Sequence, residues 1–243
     1  MTPTPTGATS REYGFPYAVV GKKQKRVKVN FTAYGDESDR GKYRVPAKAL
    51  VEGGPASDGD RHVLAVDRKR CRLYELYRAF PRKNHWNADS AAIWNLRSAG
   101  LRPAGWTSAD AAGLPIFPGL ARFDEAASGQ IDHALRMTVS RTQNAWINPA
   151  SHCAGATDDP NAPPMGLRLR LKASYDVSGF NSHARAIATA LKRYGAFIAD
   201  NGSNFFISGA SDKRWTDAII QPLRDIPGTA FEVVQSAAPI HRC

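Results

Sequence analysis

Long apolar runs and cysteines are both scarce in this sequence of 243 residues. No apolar run approaches the roughly 18 residues that a membrane-spanning helix needs. The three cysteines, Cys71, Cys153 and Cys243, are too few for a disulfide scaffold, and none lies in the CxxC spacing of a metal site. The sequence therefore predicts a globular chain that folds around its own apolar core, without metal or disulfide staples.

The motifs that identify common enzyme classes are missing as well. The sequence has no GxSxG nucleophile elbow, no GxGxxG or P-loop, no HExxH helix and no zinc-finger spacing. These absences count against elbow-type serine hydrolases, nucleotide-binding enzymes and zinc proteases. We therefore predict no cofactor and no metal.

The amino-terminal segment MTPTPTGATS is polar and lacks the apolar core of a signal peptide. We expect this start to belong to a trimmed chain, and we expect residues 1–12 to form a disordered arm. The length suits one large domain or two small ones. We predict a single domain over residues 13–243, and a monomer.

Positive charge is in excess, with 33 Lys and Arg against 22 Asp and Glu and a formal net charge of +11. An excess of this size favours anionic partners such as acidic glycans, cell envelopes or nucleic acid. The densest basic run, 21–29, alternates like a strand, and Arg168, Arg170 and Lys172 alternate with leucines. Each basic strip is predicted to be either a solvated sheet face or a surface that binds an anionic polymer.

Secondary-structure signals predict an α+β fold, with an antiparallel β-sheet or β-sandwich body and two helices near the C-terminus. If the chain is oxidised, we pair Cys71 with Cys153. The predicted strands are 15–20, 26–31, 131–139, 166–177 and 231–235, with hairpins over 61–77 and around Asn201-Gly202. The predicted helices are a short one within 87–100, one over 182–195 capped by Ser182, and one over 212–226 that is capped by Asp212 and either kinks or ends near Pro222.

One stretch, residues 105–136, is acidic although the chain as a whole is basic. Proline and glycine interrupt it, so most of it cannot form one regular helix. Irregular segments set on a regular frame are common places for functional sites. We therefore predict that the site is built from this central stretch, from the turn at 59–62 and from the long loop at 148–166.

Two carboxylates of the central stretch, Asp110 and Asp124, are predicted to be the acid–base pair of a glycoside hydrolase. Such enzymes place two carboxyl groups about 5–5.5 Å apart for retention, or about 6.5–9.5 Å apart for inversion. Trp106 offers a flat apolar face on which a sugar ring stacks. The alternative is that both acids cap turns and that Trp106 belongs to the core.

Histidines beside carboxylates are the second candidate group. Asp60 and His62 share one face of a predicted strand, and His133 lies on another strand. If these strands are neighbours, the two histidines converge and orient the acids or exchange protons. The alternative is that each histidine is only a hydrogen-bonded structural residue. The residues predicted to contact substrate, besides Trp106, are Arg136, His152, Arg170 and Lys172.

Several sequence blocks together resemble a family of bacterial proteins that are usually exported and have no assigned reaction. The resemblance covers residues 14–234 and implies a secreted protein, but it implies no chemistry. Members of that family carry a longer amino-terminal region, which implies a processed chain here. The blocks are GDRHVLAVDRKRCRLYELY (59–77), GWTSADAAGLPIFPGLARFDE (105–125), HALRMTV (133–139), PPMGLRLRLKASYD (163–176) and LKRYGAFIADNGSNFFISG (191–209).

On these grounds we predict a secreted carbohydrate-active enzyme, a glycoside hydrolase that acts on extracellular or cell-wall polysaccharide. One alternative is a non-catalytic module that binds anionic glycan or cell envelope through 22–28 and 168–172. Another is a polyuronide lyase with Tyr175 and His133 as acid and base. Nucleic-acid binding ranks behind these, because no RNP, KH or helix-turn-helix pattern accompanies the basic residues.

Overall fold

The computed structural model describes residues 14–155 and 157–243, and these form an α+β fold, as the sequence predicted. The arm predicted over residues 1–12 lies outside the described residues. The strands are β1 (Tyr17–Val20), β2 (Val27–Phe31), β3 (Lys42–Tyr43), β4 (Val63–Asp67), β5 (Arg72–Tyr77), β6 (Phe80–Pro81), β7 (His85–Ala88), β8 (Ser90–Asn95), β9 (Leu135–Val139), β10 (Ala145–Ile147), β11 (Arg168–Leu171), β12 (Ala196–Asn201), β13 (Phe206–Ile207), β14 (Phe231–Val233) and β15 (Ile240–Arg242). The α-helices are α1 (Phe123–Ser128), α2 (Ser182–Arg193) and α3 (Asp217–Arg224).

The first sheet has the strand order β1-β4-β5-β8 and contains the hairpin β4–β5 that the sequence predicted. Strand β1 runs parallel to β4, whereas β5 is antiparallel to both β4 and β8. The register aligns Val20, Asp67, Arg72 and Asn95 in one row across the sheet. Four chain segments therefore meet at this end of the sheet, and the start of β4, the end of β5 and the start of β8 meet at the other end.

A second sheet, with the order β3-β2-β7-β6, packs against the first through a shared apolar core. Tyr43 and Trp86 come from the second sheet, and Val63, Tyr74 and Leu76 come from the first; all five side chains are buried. Strand β7 alternates half-buried and buried residues, which is the pattern of a strand with one face on a core. The pair of sheets encloses the amino-terminal half of the apolar interior.

Two predictions in this half of the chain are wrong. The segment predicted as a short helix within 87–100 forms the end of β7 and then β8, because Ala91 and Ala92 are fully buried opposite β5. Tertiary pairing here overrides the helix propensity of alanine. The basic run 21–29 is a strand only from Val27 onward, and residues 21–26 form a turn between β1 and β2.

The third sheet, with the order β13-β9-β12-β11-β14, forms the other half together with α2. The predicted hairpin around Asn201-Gly202 is wrong, because β9 lies between β12 and β13 and pairs with both. The predicted caps differ as well. The side chain of Asn181, not Ser182, accepts the amide of Ala184 at the start of α2. Thr216, not Asp212, caps α3, within which Pro222 lies.

The disulfide joins Cys153 to Cys243, so the predicted Cys71–Cys153 pair is wrong. Strand β15 pairs with β10 and thereby brings the last residue of the chain beside the 148–166 loop. Cys71 is a free thiol in the turn between β4 and β5. Among residues 14–155 and 157–243, no helix has the length and apolar character that a membrane crossing requires.

The central stretch packs between the first and third sheets. Ile116 and Leu120 are fully buried and form a cluster with Leu64 of β4 and with Ala210, which follows β13. Glu75 of β5 fixes this stretch, because its buried carboxylate accepts the backbone amides of Ile116 and Phe117 at 2.8–3.1 Å. The irregular segment predicted to carry the site is therefore held from both halves of the molecule.

Candidate functional site

A cavity of about 210 Å³ lies where the start of β4, the end of β5, the central stretch and the 148–155 loop meet. Four of the residues predicted for the site line it: Asp60, His62, Asp110 and His152. The lining also includes Tyr34, Tyr77, Ser108 and Asp200, none of which was predicted.

His62 lies at the inner wall of the cavity with both ring nitrogens engaged. Nδ1 is 2.5 Å from Oε2 of Glu52, and Nε2 is 2.8 Å from the carbonyl oxygen of Ala109. Both partners are acceptors, so both nitrogens donate and the ring is an imidazolium. Burial by itself would lower the pKa of His62, but the charge and hydrogen bond of Glu52, with a contribution from Asp60, raise it to about 9. His62 is thus a fixed cation near neutral pH, which favours its predicted orienting role over proton exchange.

Arg136 joins two carboxylates behind the cavity. Its Nη2 donates to Oδ1 of Asp110 and lies 3.8 Å from Oδ2 of Asp200, while its Nη1 donates to Oγ of Ser208 at 2.8 Å. The guanidinium is buried, and the side chain of Asp110 is fully enclosed. Asp110 also accepts the backbone amide of Leu114 at 3.3 Å. One cation therefore positions both acids, and Arg136, predicted to contact substrate, acts from behind them.

Asp200 is the accessible member of this group, with 27% of its side chain exposed. Burial raises its pKa to about 6, and the opposing charge of Arg136 does not cancel this effect. Burial raises the pKa of Asp110 as well. The strand register shifts between Ile198 and Asp200, a bulge of the kind that often redirects a side chain beside an active site. An accessible carboxyl group that titrates near neutral pH is suited to proton transfer.

His152 also lines the cavity, and only one of its two ring nitrogens forms a hydrogen bond. Its Nδ1 is 2.9 Å from the carbonyl oxygen of Ala111, to which it donates, and its Nε2 lies 3.8 Å from Oε2 of Glu37. The hydrogen bond to the carbonyl fixes the ring orientation. Nε2 is therefore the nitrogen available to a bound molecule, consistent with the substrate contact predicted for this residue.

The predicted partner of Asp110, Asp124, lies elsewhere. It stands in the first turn of α1, its side chain is 79% exposed, and its carboxylate pairs with Arg214 at 2.8 Å. An acid in this position stabilises the helix start and faces solvent. The structure does not bring Asp110 and Asp124 together as an acid–base pair.

His133 is not next to His62 either. Strand β4 pairs with β1 and β5, whereas β9, which follows His133, pairs with β12 and β13 of another sheet. The ring of His133 instead lies 3.3 Å from Glu125 and 3.2 Å from Arg122. It lines a separate and mostly apolar cavity of about 430 Å³. The predicted convergence of the two histidines is therefore wrong.

Three other predicted substrate contacts also lie outside the 210 Å³ cavity. Trp106 is half-buried and its ring centre is 5.4 Å from the guanidinium of Arg102. Arg170 is exposed on β11 and pairs with Glu232 at 2.6 Å. Lys172 follows that strand and donates to a backbone carbonyl at 2.9 Å. The aromatic rings at the cavity are those of Tyr34 and Tyr77.

Two residues of the candidate site, Asp200 and Glu52, had weak signals in the sequence. Asp200 directly precedes Asn201-Gly202, a pair that favours a tight turn, so it was assigned to a hairpin. Glu52 precedes His62 by ten residues, across a loop rich in Gly and Ser. Asp58 and Asp60 lie nearer to His62 in the sequence, so sequence distance alone does not identify Glu52 as its partner.

Among residues 14–155 and 157–243, no group of three or more His, Cys, Asp or Glu side chains is arranged to hold a metal ion. Comparison of the chain with models of protein families, with curated proteins and with solved structures found no match. The resemblance drawn from sequence blocks therefore stays a prediction.

Proposed function

We propose that the 210 Å³ cavity is the active site of a glycoside hydrolase, with Asp200 as the proton donor. The observation that supports this most is a partly exposed carboxyl group with a pKa of about 6 in a cavity that contains a second carboxylate. Glycoside hydrolysis needs one carboxylic acid that is still protonated near neutral pH and one carboxylate that is not. Asp200 protonates the leaving oxygen of the glycosidic bond.

Asp60 takes the role of the second carboxylate, because it lines the same cavity and is exposed. It acts either as the base that takes a proton from the water attacking the anomeric carbon, or as the nucleophile that attacks this carbon itself, after which water hydrolyses the glycosyl-enzyme. The enclosed Asp110 and the guanidinium of Arg136 are positioning residues for Asp200. This assignment replaces the predicted Asp110–Asp124 pair with Asp200 and Asp60, and keeps a role for Asp110.

The charge around the cavity favours a neutral sugar. Asp60, Asp110 and Asp200 line it, and the cations His62 and Arg136 beside it are already paired with carboxylates. A polyuronide lyase needs a cation that neutralises the substrate carboxylate, and Arg136 is already paired with two acids. This pairing supports hydrolysis over the lyase alternative.

The size of the cavity favours a short substrate segment. Its 210 Å³ is below the roughly 300–1,000 Å³ of typical ligand pockets, and it suits a single sugar ring with the rest of the chain outside. Tyr34 and Tyr77 supply the aromatic surface that we predicted from Trp106. The Cys153–Cys243 disulfide supports a secreted location, because disulfides persist in oxidising compartments.

The test is a reducing-end assay on neutral and acidic oligosaccharides with the wild-type chain, Asp200→Asn and the matched surface control Asp124→Asn. We expect wild type and Asp124→Asn to hydrolyse a neutral substrate, and folded Asp200→Asn to lose activity by about 100-fold or more. Activity retained in Asp200→Asn, or no product from any substrate, would overturn the proposal. A product that absorbs in the ultraviolet would indicate a lyase instead.

A further inference from the structure

The end of the first sheet opposite the cavity gathers basic residues from separate parts of the chain. The aligned row of Val20, Asp67, Arg72 and Asn95 marks this end. Because β1 and β4 are parallel, the turns that follow them emerge side by side, and β8 delivers its own following residues to the same place. The basic side chains in these segments, here called the basic end, are Lys22, Lys23, Lys25, Arg26, Arg68, Lys69, Arg70, Arg72 and Arg97.

Contacts fix these turns relative to one another. Buried Arg44 donates from Nη1 to the carbonyl oxygen of Gln24 at 2.5 Å, and its Nε lies 3.4 Å from Oδ2 of Asp67. Asp67 also binds Arg70 at 3.1 Å, and Arg97 donates to the carbonyl oxygen of Arg70 at 3.5 Å. These contacts hold three segments in one surface: the turn after β1, the turn after β4 and the segment after β8.

This surface carries a strong excess of positive charge. Within residues 20–26, 67–72 and 95–98 the only carboxylate is that of Asp67, which is fully buried and already shared by Arg44 and Arg70. All members of the basic end are exposed except Arg70, which is half-buried. Like charges held this close repel one another in the free protein, and a bound polyanion removes that cost.

We propose that the basic end binds an acidic polysaccharide, independently of the cavity. The three segments contain no aromatic residue, whereas proteins that bind single-stranded nucleic acid stack bases on aromatic rings. The surface is made of turns, so it presents no helix to the major groove of duplex DNA. A flexible carboxylated chain needs only spaced cations, and the basic end supplies them.

The test measures binding of sodium polygalacturonate to the full chain as a function of salt. Asp200→Asn serves as the parent protein, and the length of the polymer is checked after each measurement, so that the binding result stays interpretable if the hydrolase proposal fails. In this parent we compare Arg68→Gln/Lys69→Gln, Lys22→Gln/Lys23→Gln and the control Arg170→Gln/Lys172→Gln, which removes the same charge from the third sheet. Thermal unfolding of each variant establishes that it is folded.

We expect the dissociation constant to rise about tenfold in either basic-end variant, and the salt slope to become shallower by about one to two. The control should bind within about twofold of the parent, because Arg170 belongs to the third sheet and pairs with Glu232, and Lys172 follows the same strand. Equal weakening in the control would overturn the proposal, and so would absent binding. Tighter binding to duplex DNA or to anionic phospholipid vesicles than to polygalacturonate would overturn it as well.

Discussion

The two ends of the first sheet carry opposite electrostatic environments on the same strands. Strand β4 starts next to His62 at the cavity and ends at Asp67 at the basic end, and β5 runs back from Arg72 to Tyr77. Strands of this length separate the two ends by about 17–20 Å. At the cavity, His62, Arg136 and Asp110 are buried and paired, whereas Asp60 is exposed. At the basic end every basic side chain except that of Arg70 is exposed, and the carboxylate of Asp67 is buried.

This difference shows how burial changes what a charge can do. At the cavity, loss of water moves the pKa of Asp200 to about 6 and makes proton transfer possible near neutral pH. At the basic end, the Lys and Arg side chains face solvent, where exposed positive charge can attract anionic polymers over a distance. The net charge of +11 indicates attraction to anionic polymers, but it carries no information on which acids are buried. The same two strands therefore join a cavity that contains a carboxyl group with a raised pKa to a surface of exposed positive charge.

The largest effect is expected from Glu52→Gln, which disrupts the cavity end alone. This change leaves the buried His62 imidazolium without its anion, and we expect the free energy of unfolding to fall by about 3 kcal/mol at pH 7. The raised pKa of His62 adds stability that is complete below its ordinary pKa and is lost as pH rises through about 9. Urea unfolding from pH 6 to 10 should show this loss in wild type, and an equal loss in Glu52→Gln would contradict the ion pair.

The next largest effect is expected from Asp200→Asn, which should reduce the rate of hydrolysis about 100-fold. In wild type, the rate should fall as pH rises through about 6, because the acid form of Asp200 disappears. The pKa of Asp200 is higher in the folded protein than in the unfolded chain. The contribution of this acid to the free energy of unfolding is therefore complete below its ordinary pKa and is lost as pH rises through about 6. We therefore expect Asp200→Asn to have a free energy of unfolding roughly 1–3 kcal/mol higher than wild type at pH 7, measured by urea unfolding. A less stable but inactive variant would point to a structural role for Asp200.

Arg68→Gln/Lys69→Gln changes only the basic end of the first sheet. We expect hydrolysis of a soluble neutral substrate to stay within about twofold of wild type, because the cavity lies beyond the Debye length. Removal of like charges should leave the free energy of unfolding unchanged or raise it by less than about 0.5 kcal/mol. Steady-state kinetics and urea unfolding check both values, and a tenfold loss of kcat would mean that the two ends are coupled.

Cys71→Ser should have the smallest effect. The thiol lies in the turn between β4 and β5, forms no disulfide and makes only a weak contact with a backbone carbonyl at 3.6 Å. We expect a change in stability of less than about 0.5 kcal/mol and no change in activity. Loss of polygalacturonate binding in this variant would show that the shape of the turn, and not only its charge, matters at the basic end.

Local sequence patterns were enough to select four of the residues that line the 210 Å³ cavity. Asp60 and His62 lead into β4, and Asp110 and His152 lie on segments whose proline and glycine content marked them as irregular. These residues could be predicted because strand alternation and loop composition are local properties of the sequence. The α+β class and the β4–β5 hairpin follow from the same local signals.

The remaining parts of the site depend on long-range pairing. Asp200 reaches the cavity because β12 pairs in parallel with β9 and is shifted by a bulge, and no local pattern encodes either feature. The basic end exists because β1 pairs with β4, about 45 residues further along the chain. Asp124 was misassigned because an acid near a helix start and a catalytic acid look alike without their partners.

The most direct test of this account is a crossed measurement of neutral-oligosaccharide hydrolysis and polygalacturonate binding in Asp200→Asn and in Arg68→Gln/Lys69→Gln. We expect Asp200→Asn to lose hydrolysis and keep wild-type binding, whereas the basic-end variant should keep hydrolysis and bind about tenfold more weakly. If either folded variant loses both properties, or if Asp200→Asn keeps its activity, the separation of a catalytic end from a binding end is contradicted.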